Sequence, residues 1–205
     1  MGRVNELSEF TRGQLDSAHM KIGHDVGMGT ADALRAFLSD RLKVVWNWKV
    51  WKTIKLGAYA NADSAREALR SVLFNFPVEV IGLLDSPDLI FAKEETKIDL
   101  VKVELTDLHL SMGSTYEEVC SRAKKVGLAL CPQEVGFHLR MQYTEQPWDE
   151  IVYVVSRQIH DKYGRPCLFK VKRKEGKVCF EAAHVPNNCH FYGGLSFVFQ
   201  PLKVA

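Results

Sequence analysis

Cys131 has the most reactive setting in the chain. It stands before Pro132, and Cys131-Pro132 reads as the start of a helix. Free N–H groups and the helix dipole at such a terminus favour thiolate over thiol. A nucleophile also needs a base within reach. His138 lies seven residues on, about two helical turns away, on the same face but far along the axis. The plainer role for Cys131 is a small half-buried cap, with Glu134 complementing the dipole.

Cys179, His184, Cys189 and His190 offer soft ligands within twelve positions. Two sulfurs and two nitrogens would suit zinc. The spacing C-x4-H-x4-C-H matches no common zinc module, however, and adjacent Cys189 and His190 would rarely both hold one ion. No metal and no other cofactor is therefore expected.

Lys170, Lys172 and Lys174 alternate on one face of a predicted strand, with Arg173 opposite and Lys177 across a turn. This pattern fits a basic ribbon touching phosphates. It fits equally a solvated face, or lysines guarding a sheet edge. Trp46, Trp48 and Trp51 could stack bases but more often form core and rim. The glycine-rich stretch from Gly23 to Thr30 precedes a predicted helix, yet it lacks the lysine of a phosphate-binding loop. Residues 115–143 mimic a helix-turn-helix, but the second helix carries only Arg140 as a cation.

These groups need a scaffold, and the composition supplies one. The chain has 205 residues, 46% hydrophobic and 25% charged, with a formal net charge of +2. That suffices to bury a core and argues against bulk disorder. Neither half is a polyelectrolyte, so strong non-specific attraction to nucleic acid is not expected. No apolar run approaches the roughly 18 residues of a membrane helix. Glu6, Ser8, Glu9, Thr11 and Arg12 break any signal-peptide core. Five cysteines without a C-x-x-C pattern suit reduced thiols in the cytoplasm.

Periodicity then predicts the elements. Residues 4–22 and 30–42 read as helices, and 44–56 as a Trp-rich strand in which Lys52 interrupts the apolar face. Residues 61–74 return to helix, with Ser64 and Glu67 as a capping box. A short helix at 77–84 and a turn at 85–88 follow. Residues 97–105 alternate as a strand. Ser114 and Glu117 form a second capping box for a helix closed by Gly127. A further helix is predicted over 132–143. After Pro147 the pattern is an antiparallel meander over 151–159, 166–173, 177–183 and 195–200, with turns at Tyr163-Gly164 and Glu175-Gly176. The charged run Lys93-Glu94-Glu95 suggests a boundary between an N-terminal subdomain, 1–92, and a C-terminal α+β domain, 93–205.

Residues Gly127, Leu128, Leu130, Cys131, Pro132, Glu134, Val135, Gly136, Leu139, Arg140 and Tyr143 spell G-L-x-L-C-P-x-E-V-G-x-x-L-R-x-x-Y, and Phe197-Val198-Phe199 follows later. With the preceding KIDLVKVELTDL, this resembles the C-terminal module of a family of uncharacterised bacterial proteins. The resemblance covers roughly residues 97–200 and implies a module boundary, with no known activity. His184 to Gly194 departs from that family's usual ending.

The expectation is thus an α+β protein: N-terminal helices with a Trp-rich strand, then a helical hairpin packed on one face of an antiparallel sheet. No pair of carboxylates, triad or cofactor fingerprint emerges from the sequence. The expected function is a non-catalytic interaction module whose partner is another protein. The alternatives are a small cysteine-dependent enzyme using Cys131, or weak nucleic-acid binding by the hairpin of Lys170, Lys172, Arg173, Lys174 and Lys177. The oligomeric state is left open.

Overall fold

A computed structural model describes residues 48–73 and 77–202. The helices predicted at 4–22 and 30–42, the glycine-rich stretch between them and Trp46 lie outside the described residues. The elements in chain order are β1 (Lys52–Leu56), α1 (Ala62–Val72), α2 (Val78–Leu84), β2 (Thr96–Val103), α3 (Tyr116–Lys125), β3 (Leu128–Ala129), α4 (Val135–Gln142), β4 (Ile151–Val154), β5 (Ile159–His160), β6 (Pro166–Lys174), β7 (Lys177–His184) and β8 (Ser196–Pro201). The α+β class holds. The described residues from 48 onward belong to one compact unit, and the 92/93 boundary falls inside it, because β1 pairs with β2 across that point.

The sheet is mixed rather than an antiparallel meander. Its described strands run β1-β2-β8-β4-β6, with β7 on the other side of β6, β5 also on β6, and β3 on β8. β8 lies between β2 and β4, antiparallel to the first and parallel to the second. The sequence 185–195 carries the chain back across the sheet, so β8 cannot follow β7 as a neighbour. A central strand must be apolar on both faces. Phe197, Val198 and Phe199 are all fully buried.

Alternation divides the core in two. Ile54, Leu56, Leu100, Val152, Val154, Phe169, Val171, Phe180 and Val198 face α1, α2 and α4. Val101, Val103, Leu168, Phe197 and Phe199 face Tyr116, Val119, Ala123 and Val126 at α3. The two helices of the expected hairpin therefore cover opposite faces. β3 separates them, and its pairing with β8 carries the chain past the sheet between them.

Local signals shifted by a few residues. Asn61, not Ser64, caps α1: its side chain accepts from Ser64 N at 3.0 Å, and Ser64 Oγ accepts from Asn61 N at 3.3 Å. Thr115 and Glu118, not Ser114 and Glu117, form the box at α3. Asn, Ser and Thr are all competent caps, so composition does not choose among neighbours. β1 begins at Lys52, the residue that breaks its apolar face. Lys52 sits at the end of the sheet, paired with Glu145, its Nζ 5.0 Å from the Tyr143 ring centre.

α4 starts at Val135, three residues later than expected. Cys131 is held extended by its N–H bond to Val155 O at 2.8 Å and a parallel bridge to Ser156, so the helix forms only after a turn. α4 lies close against β6 because residue 136 is glycine. A Cβ there would stand 2.5 Å from Phe169 Cβ.

Candidate functional site

The structure does not give Cys131 the helix-terminal setting that its sequence suggested. Its side chain is 3% exposed, and Sγ donates to Val198 O at 3.5 Å. Burial pushes the thiol well above its ordinary value, the reverse of what an activated nucleophile needs.

The four soft ligands do not converge. Cys179 lies on β7 opposite Lys172, and His184 lies at the far end of the same strand opposite Cys167. Cys189 and His190 lie in the loop before β8. His190 Nδ1 is 2.6 Å from Gly113 O, and burial raises the Cys189 thiol. Among the described residues no group of three or more His, Cys, Asp or Glu side chains is placed to hold a metal ion.

The hairpin cations are placed together but largely matched. Lys170 and Lys172 both pair with Glu181 on the neighbouring strand, Lys170 at 2.9 Å. Burial works to raise the Glu181 carboxyl, but hydrogen bonds from Lys172 and Lys170 and their charges outweigh it and hold it below the ordinary value. Arg173 points to the other face. Its Nη1 donates to Gln146 O at 2.9 Å, and its guanidinium stacks 5.1 Å from the Trp148 ring centre. Lys174 is 3.7 Å from Glu175, and Lys177 opens β7 opposite it. Each of these cations thus has a specific protein contact, which leaves little continuous positive surface for a phosphate backbone.

Two buried polar networks at α4 escaped the sequence reading because each closes on a segment distant in the chain: Ala92 and Tyr59 for Glu134 and His138, and Val171, through Gln146, for Arg140. Glu134 and His138 are 2% and 1% exposed, with Oε2 and Nε2 3.4 Å apart. Glu134 Oε2 accepts from Ala92 N at 3.2 Å, and the His138 ring stacks on Tyr59. Arg140 is 2% exposed and spans the end of α4. Its Nη1 donates to Gln146 Oε1 at 2.7 Å, and its Nη2 donates to Tyr143 O. Gln146 Nε2 in turn donates to Glu150 O and Val171 O. Arginine at a helix C-terminus meets the last carbonyls and the negative dipole end. The network ties α4 to β4 and β6.

A surface feature also escaped it. The segments 111–117 and 187–191 are stitched together by main-chain bonds. Gly113 N donates to Phe191 O, Phe191 N to Ser114 O, Tyr116 N to Cys189 O and Glu117 N to Asn187 O, at 2.7, 3.0, 2.9 and 3.1 Å. The joined loops present Met112 and Tyr192, 73% and 66% exposed. The Tyr192 ring lies over Gly113, where a Cβ would meet it at 3.4 Å. The signal was a large apolar residue beside glycine in each loop, Met112-Gly113 and Tyr192-Gly193.

Among the described residues no helix is long and apolar enough to cross a membrane. Comparison with protein-family models, with curated proteins and with solved structures found no match in any of the three.

Proposed function

We propose that the chain is a non-catalytic interaction module that binds another protein through the joined loops around Met112 and Tyr192. One observation carries this reading: two large exposed apolar side chains rest on loops that already hold each other in place. Tyr and Met are enriched at protein interfaces, and a loop ordered before binding loses less entropy on association. All five cysteines are free, which suits a reducing compartment such as the cytoplasm. The cysteine-enzyme alternative has less support because Cys131 is buried and protonated. The nucleic-acid alternative has less support because Glu181 occupies Lys170 and Lys172.

The test is photocrosslinking in cells from a benzoylphenylalanine at position 192, with the same probe at exposed Tyr163 as control. A discrete protein adduct at 192, absent at 163 and abolished by Met112→Asp, is expected. Identical adduct patterns at both positions, or none at 192 with the fold intact by circular dichroism, would overturn the reading.

A further inference from the structure

The ladder between β2 and β8 stops short, and one residue accounts for it. The pairing runs from Val103 opposite Phe197 to Val101 opposite Phe199. The next hydrogen-bonded rung would set Asp99 opposite Pro201, whose nitrogen carries no hydrogen. The Asp99 carbonyl therefore receives no donor from β8. The end of β8 is held on its other side by β3, where Leu128 pairs with Pro201 and Leu202 N donates to Gly127 O at 2.9 Å. An opening of about 270 Å³ is left between residues 96–99 and the end of β8, with Leu56 and Pro132 beneath it. It is closed where the ladder begins at Val101 and open toward Thr96.

The register fixes what this opening offers. Gln142 takes both main-chain groups of Lys55, so Lys55 and its opposite residue Lys97 turn theirs away from each other. Lys97 and Asp99, two residues apart, thus aim their main-chain groups into the opening. Side chains alternate. Ile98 turns toward the core with Leu56, while Lys97 and Asp99 are exposed on the other face. Asp99 Oδ1 accepts from Thr53 Oγ1 at 2.6 Å, which leaves Oδ2 for a ligand. Among the described residues Lys97 has no ion pair.

We propose that this opening binds the free N-terminus of a partner protein, extended and antiparallel to β2. The opening holds a chain end but not a whole strand, because β8 closes it at Val101. Charge decides which end. The Asp99 carboxylate and carbonyl stand at the closed end, where they attract an α-ammonium and repel a terminal carboxylate. Residue 1 of the guest then lies opposite Asp99. Residue 2 lies opposite Ile98 and turns its side chain toward Leu56 and Pro132, so an apolar residue fits. Residue 3 lies opposite Lys97, exchanges both main-chain hydrogen bonds with it, and is best acidic. The inference is independent of the Met112 and Tyr192 surface.

The test uses the full chain and the peptide Ala-Val-Glu-Ser-amide with a free amino terminus, followed by amide NMR. Millimolar peptide is expected to shift the Lys97 amide saturably. Acetylating the peptide is expected to weaken binding about tenfold, the loss of one charge-assisted hydrogen bond. Asp99→Asn keeps an acceptor for Thr53 but removes the charge, so it is expected to weaken the free peptide by a similar factor and to leave the acetylated one unchanged. N-methylation at the peptide glutamate removes a hydrogen bond to Lys97 and is expected to abolish binding. N-methylation at the valine, whose N–H turns away from β2, is expected to be tolerated. An unmoved Lys97 amide, equal affinity of the free and acetylated peptides, or a greater loss from methylation at valine than at glutamate would overturn the proposal.

Discussion

The Gln142 side chain and the Lys55 backbone recognise each other as two strands would. Lys55 N donates to Gln142 Oε1 at 2.9 Å, and Gln142 Nε2 donates to Lys55 O at 2.8 Å. One amide thus supplies both partners that an extended residue on an edge would take from another chain. Gln142→Ala is expected to lower stability by about 1 kcal/mol, the net worth of two partly exposed hydrogen bonds. Urea denaturation measures it. A change below about 0.3 kcal/mol would mean that water replaces the amide at no cost.

The meander strands were legible because their signals are local. β6 and β7 alternate in period two, and the Glu175-Gly176 turn between them has positive φ at both residues, 51° and 77°, the geometry of a tight hairpin. The neighbours of β8 were not legible. Phe197, Val198 and Phe199 announce a strand buried on both faces, but nothing in that stretch names β2 and β4 as its partners. The opposite placement of α3 and α4 follows from that insertion and was hidden with it. Cys131 misled for a related reason: Cys-Pro marks a helix start only when no distant strand claims the cysteine, and Val155 claims it here. Gln142, Arg140 and the Met112–Tyr192 surface depend on contacts between distant segments, so composition could not reveal them.

Gly136→Ala is expected to destabilise the fold. In an open helix this change would gain about 1 kcal/mol. Here the new methyl would meet Phe169 Cβ at 2.5 Å and Cδ2 at 2.6 Å. Overpacking of that kind costs about 3 kcal/mol, so a net loss of about 2 kcal/mol should appear in denaturation. An unchanged or raised midpoint would show that α4 can move away from β6 freely.

Iodoacetamide at neutral pH is expected to label the half-buried Cys179 and Cys189 of the folded protein well before Cys131. The Cys131 thiol is enclosed and its pKa is raised by burial, so it should react only after denaturant is added. Mass spectrometry of timed samples decides this. Fastest labelling at Cys131 would revive the reading of that residue as a nucleophile.

Glu181 should contribute a pH-dependent share of stability. Its folded pKa lies below the ordinary 4.5. Its contribution is therefore complete above pH 4.5 and is lost as pH falls through the lower folded value. Glu181→Gln is expected to lower the melting temperature at pH 7, and the gap from the parent protein should narrow below pH 4.5. A constant gap across that window would mean that Lys170 and Lys172 do not favour the ionised form.

The place of β8 bears on how the protein is made. Synthesis is vectorial, and residues 196–201 emerge after every other described strand, yet they occupy the middle of the sheet. Until they arrive, the nascent chain holds a β1–β2 pair and a β4–β6–β7 sheet with nothing between them. Each half then displays a raw edge, at β2 and at β4, beside apolar faces meant for burial. Such edges invite pairing with neighbouring chains. Both raw edges stay open from the completion of β7 at His184 until residues 196–201 are made, and folding closes by insertion of a strand rather than by growth from one side.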